Sequence, residues 1–116
     1  MKYQSFVLTA LLVSPLFLSA SAIAAGYKCE VEVLNAFNPD NSNIVIEKGV
    51  YVGEINGTPL GFSKESMALM RALENCRERN LGNISDPKIK KTLEGPIHNR
   101  CSEAFRYARR SCRDTH

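Results

Sequence analysis

The sequence predicts an α+β fold. It should be a small antiparallel sheet of two or three strands, followed by two main helices packed on one face, the whole stapled by disulfides. Three observations carry this. Residues 27–35 alternate apolar and charged side chains with a period of two. From Phe62 onward the apolar residues recur at the spacing of an amphipathic helix. Four cysteines lie in a short chain that opens with the pattern of an export signal.

That opening is "MKYQSFVLTALLVSPLFLSASAIAAGYKC". Lys2 supplies positive charge, Phe6 to Leu18 is an apolar run, and Ala22-Ile23-Ala24 is an A-x-A cleavage signature. An uncleaved anchor would need about 20 apolar residues, and this run is shorter and carries Pro15. Residues 1–24 are therefore expected to be a secretory signal peptide, with no membrane span left after cleavage. The mature chain should start at Ala25 or Gly26. Residues 25–116 form one small domain, whose core is marginal by size alone.

"YKCEVEVLN" (Tyr27 to Asn35) reads as a half-buried strand with Cys29, Val31 and Val33 inward and Lys28, Glu30 and Glu32 outward. "AFNPDNSN" is a loop by composition. "IVIEKGVYVGEI" is rich in β-branched residues, and Lys48-Gly49 within it is compatible with a turn between two short strands or a bulge in one. "FSKESMALMRALENCRERN" starts a helix: Ser63 is a cap, and Phe62 is placed to staple onto Met67. Leu69, Ala72, Leu73 and Cys76 form its buried stripe, with Met67 and Met70 as core filling. "LGNISDPKIKKTLEG" is a connector with room for a short helix, capped by Asp86, started by Pro87 and stopped by Gly95. Pro96 then opens a last helix. Ile97, Cys101, Ala104, Phe105, Ala108 and Cys112 share one face, so one continuous helix is expected from Ile97 to Arg113.

That helix bears on the disulfides. Cys101 and Cys112 would lie about 16 Å apart along it, far beyond the roughly 4.4–6.8 Å between bridged Cα atoms. Each must bond Cys29 or Cys76. In a helical hairpin the end of the first helix meets the start of the second, which pairs Cys76 with Cys101 and leaves Cys29 for Cys112. Metal binding by these cysteines is not expected, because zinc sites show close ligand pairs and here the spacings are 47, 25 and 11 residues.

Charge is uneven. Residues 25–70 hold three lysines against six acidic residues, while residues 71–116 hold eleven Lys or Arg against six. On the expected helix, Arg106, Arg109, Arg110 and Arg113 make one basic stripe, with Tyr107 on its far flank. Such a stripe is a candidate contact for an anionic polymer or a lipid headgroup. Cations near a helix C-terminus also simply complement its dipole. Without interleaved aromatics the stripe does not resemble a single-strand-binding surface, so nucleic acid is not the expected partner.

Catalytic chemistry is thin. His98 should sit in the first turn of the last helix, where the dipole disfavours its protonated form, and His116 is terminal. Oxidised cysteines offer no thiolate, and Glu30 and Glu32 share an exposed strand face. No phosphate-binding glycine loop, H-E-x-x-H helix or G-x-S-x-G elbow occurs, so no cofactor or metal is expected. These features imply a periplasmic or secreted interaction module without catalysis, acting as an inhibitor or accessory factor on a protein partner in the cell envelope or outside the cell. Anion binding through the arginine stripe is the alternative, and a small secreted hydrolase comes third.

Overall fold

The computed structural model describes residues 26–57 and 61–115. The expected signal peptide and its cleavage site lie outside the described residues. Five elements follow in order: β1 (Tyr27–Val33), β2 (Gly49–Ile55), α1 (Lys64–Leu81), α2 (Pro87–Phe105) and β3 (Arg109–Asp114). The fold is α+β, with a three-stranded sheet in the order β2-β1-β3. Both pairings are antiparallel. The third strand follows the helices instead of preceding them.

β1 is the central strand and behaves as its alternation predicts. Cys29, Val31 and Val33 are buried beneath the helices, and Glu30 and Glu32 face the open side. The Lys48-Gly49 step is neither a hairpin turn nor a bulge. Ile46 bridges back to Phe37 through two backbone hydrogen bonds of 2.8 and 3.0 Å, and β2 begins only after a bend at Lys48. Gly49 takes a φ of 149°, a region that side-chain-bearing residues rarely adopt. Residues 38–44 are held by their own polar groups and by α2. The Asn38 side chain donates to the Ser42 carbonyl and accepts its N–H, while Arg100 binds both carboxylate oxygens of Asp40 and the Ile44 carbonyl.

α1 starts where expected, with the Ser63 hydroxyl accepting from the Ser66 N–H at 3.1 Å. Ala68, Ala72, Cys76 and Asn80 form its buried stripe, spaced by four. The small residues let α1 approach the sheet closely. A Cβ on Gly53 would overlap the Ala68 carbonyl oxygen and the Ala72 nitrogen, so glycine is required there. Two expectations fail on this helix. Phe62 is 59% exposed and is no staple, and Met70 is 54% exposed and fills no core. The buried stripe runs through the alanines, and Met70 lies to one side of it.

α1 also closes one edge of the sheet. Arg79 donates to the Val50 carbonyl at 2.6 Å, and Asn75 accepts the Val52 N–H at 3.4 Å. The Arg79 guanidinium lies over the Tyr51 ring at 4.1 Å. Beneath it, the buried amide of Asn80 accepts the Glu47 N–H and donates to the Cys76 carbonyl and the Tyr51 hydroxyl. The Tyr51 hydroxyl donates in turn to the Glu47 carbonyl. A buried polar group carries little penalty when each of its functions is satisfied in this way.

α2 departs most from expectation. Asp86 caps it and Pro87 occupies the first turn, but Gly95 does not stop it. The helix runs through Pro96 as one element of 19 residues. Pro96 removes one donor, the bond to the carbonyl four residues back. The apolar stripe of Leu93, Ile97, Cys101, Ala104 and Phe105 continues across that point and joins the core, which outweighs the single lost bond. The helix ends at Phe105, not Arg113, in successive i→i−3 hydrogen bonds from Arg106, Tyr107 and Ala108. Residues 109–114 then pair with β1. Cys112 is drawn into the sheet opposite Cys29, and six residues gain a ladder that an extra turn of exposed helix would lack.

The disulfides are Cys76–Cys101, joining α1 to α2, and Cys29–Cys112, joining β1 to β3. These are the expected pairs, although the continuous helix used to exclude Cys101–Cys112 does not exist. Bridges closing separations of 25 and 83 residues stabilise by about 3–5 kcal/mol each in the chain-entropy model. That is comparable with the whole net stability of a small domain.

Candidate interaction surface

The four candidate arginines are redistributed by the switch from helix to strand. Arg106 caps the end of α2. On β3, alternation sends Arg109 and Arg113 to the open face of the sheet and Arg110 to the helix side, level with buried Val31. They therefore do not form one stripe.

The open face is balanced in charge. Glu30, Glu32 and Glu54 share it with Lys28, Arg109 and Arg113. Arg109 reaches Glu32 at 3.9 Å and Arg113 reaches Glu30 at 3.8 Å, while Lys28 is 3.7 Å from Glu30. On the other side Arg110 is 3.9 Å from Glu65 of α1, and Lys64 binds Asp114 at 2.8 Å. The arginine pairs are long and exposed, a class worth about 0–1 kcal/mol. They neutralise the arginines without locking them, so the side chains remain able to turn toward another anion.

Arg106 differs. Among the described residues it has no ion pair, and it borders three surface depressions. One, of about 280 Å³, lies between the helices, with Leu69, Met70, Leu73 and Phe105 below and Arg106 and Arg110 beside them. A second, of about 350 Å³, is bounded by Phe37, Pro39 and Tyr107. Here the Phe37 and Tyr107 rings stack with centroids 6.0 Å apart, although Tyr107 is 76% exposed. This end of the molecule thus combines exposed apolar side chains with two guanidinium groups, the composition that protein interfaces favour.

Arg100 does the opposite job. Its side chain is 11% exposed and contacts Asp40, Glu103 and the loop carbonyl. The paired hydrogen bonds from Arg100 hold the Asp40 carboxyl below the usual carboxylate range, with help from Ser42. Arg100 is a structural clamp. Nothing in its sequence setting separates it from the exposed arginines that follow.

His98 lies mid-helix in α2, not in a first turn, so the dipole argument for it does not apply. Its Nδ1 is enclosed and, among the described residues, has no hydrogen-bond partner. All four cysteines are bonded, and Glu30 and Glu32 face basic neighbours. No group of three or more His, Cys, Asp or Glu is placed to hold a metal among the described residues, and no described helix is long and apolar enough to cross a membrane. Two disulfides point to an oxidising compartment. Compared with protein families, curated proteins and solved structures, the chain finds no match.

Proposed function

We propose that this is an exported, disulfide-stapled interaction module that binds a protein partner in the cell envelope or outside the cell, as an inhibitor or accessory factor, without catalysis of its own. One observation carries the reading. The end of the molecule where α1, α2 and β3 meet leaves Met70, Leu69, Leu73 and Tyr107 accessible beside Arg106 and Arg110, on a frame held rigid by two covalent bridges. Apolar contacts supply affinity in such a surface, and flanking arginines select the partner's charge. Rigidity lowers the ordering cost of binding.

The test begins with protein purified from its native compartment, whose intact mass should correspond to a start at Ala25 or Gly26. Cross-linking in envelope extract should then capture a defined protein. Met70→Asp with Arg106→Glu should reduce that capture at least tenfold at an unchanged melting temperature. Capture that persists in the variant would overturn this surface. Binding to an anionic support such as heparin or acidic vesicles, lost steeply with salt, would favour the anion-binding reading instead.

A further inference from the structure

The two outer edges of the sheet are not alike, and the register shows which backbone groups each one presents. The Thr115 N–H donates to the Gly26 carbonyl at 3.2 Å. Hydrogen-bonded and non-bonded pairs alternate along an antiparallel ladder, so Lys28–Arg113, Glu30–Ser111 and Glu32–Arg109 are the bonded pairs, and Cys29–Cys112 and Val31–Arg110 are not. The same phase makes Val50 and Val52 face outward on β2, as their bonds to Arg79 and Asn75 require. On β3 the N–H and C=O of Arg110 and Cys112 must therefore point away from β1. Among the described residues, no hydrogen bond is made to them on that side.

From this the geometry points to β3 as a docking edge for an extended acidic segment of the protein partner, which adds as a fourth strand. Charge argues for this occupant. Arg109 and Arg113 would flank the added strand on the open face and Arg110 on the helix side, each held among the described residues only by a long, exposed ion pair. A second copy of this chain pairing edge to edge about Ser111 would instead set Arg109 against Arg113, which is unfavourable for directly opposed residues. On the helix side, side chains of the added strand would lie next to the groove of Leu69, Met70, Leu73 and Phe105 that Arg110 lines. The matching segment alternates acidic and apolar residues. Main-chain hydrogen bonds give affinity in this mode, and alternate side chains give specificity. The Cys29–Cys112 bridge holds the edge strand in place before binding.

The inference rests on the module reading, and its test uses a capped ten-residue peptide alternating Glu and Val. Amide hydrogen exchange at Arg110 and Cys112 should slow at least tenfold on adding it, and should not slow with an alternating Lys–Val peptide. N-methylating one set of alternate peptide amides must abolish the effect, while methylating the other set leaves it. Arg109→Gln with Arg113→Gln should weaken binding at least fivefold without lowering the melting temperature. Unchanged exchange at both amides while Met70 and Leu73 resonances shift would overturn the edge in favour of the groove alone. Concentration-dependent protection without peptide would overturn it in favour of a second copy. If the captured partner still binds while the peptide does not protect these amides, the edge falls and the module reading stands.

Discussion

The two edge strands of this sheet solve the problem of unpaired backbone groups in different ways. On β2, α1 leans over the edge. Arg79 takes the Val50 carbonyl, Asn75 takes the Val52 N–H, and Arg79 covers the face of Tyr51. On β3, α1 makes only side-chain ion pairs, Lys64 with Asp114 and Glu65 with Arg110, among the described residues, and the edge carries arginines, which discourage edge-to-edge pairing between copies. β3 is secured mainly from its inner side, by the ladder to β1 and the Cys29–Cys112 bridge, with Lys64 holding Asp114 at its end. The difference teaches that one edge is built into the core while the other is tethered but left accessible. An edge that is stable without being covered is what an extended partner requires.

Removing the tether should break the comparison most severely. Cys29→Ala with Cys112→Ala is expected to cost about 2–5 kcal/mol, read as a lower urea midpoint. Amide exchange should show β3 losing protection well before β2, because α1 and the Cys76–Cys101 bridge still hold β2 and the helices together. Equal loss on both strands would mean that the edges are not independently secured.

Uncovering the other edge tests the converse. Arg79→Met keeps much of the side-chain volume over Tyr51 but removes the donor to Val50 and the cation over the ring. The expected cost is about 1–2 kcal/mol. Exchange should quicken along β2 and stay unchanged along β3.

The smallest effect lies away from both edges and serves as the control. Asp40 has its folded pKa lowered by the hydrogen bonds from Arg100. A depressed carboxylate contributes stability that is present above its unfolded pKa and is lost as pH falls through the folded value. The clamp on residues 38–44 should therefore weaken below about pH 4. Asp40→Asn should flatten that part of the pH dependence of the urea midpoint, with the exchange of both edge strands unaltered.

Much of the molecule is legible locally. Ser63 and Asp86 sit directly before helical spacing and do cap helices, because a cap needs only the next turn of its own chain. The alternation from Tyr27 to Val33 marks a strand with one buried face, and such a strand binds its register strongly. The Cys76–Cys101 pair follows from two helices packing as a hairpin, whereas Cys29–Cys112 is expected through a continuous helix that does not form, since Cys112 lies on a strand.

What the chain by itself determined about this protein is the α+β class, the two strands before the helices, the helix starts and the Cys76–Cys101 staple, set by period, caps and helix packing. Tertiary structure alone decided that α2 passes through Gly95-Pro96, that the chain leaves the helix at Phe105, and that Met70 lies exposed. The segment Arg109 to Asp114 contains nothing that opposes a helix, and Ala108 and Cys112 even continue the apolar stripe. It becomes a strand because β1 has a second edge to fill and Cys29 waits there. An edge strand takes its conformation from hydrogen bonds to a partner some 80 residues away in sequence, and no local pattern encodes a partner at that distance. The candidate surface shares this origin, since Arg106, Arg110 and Met70 meet only once β3 has docked.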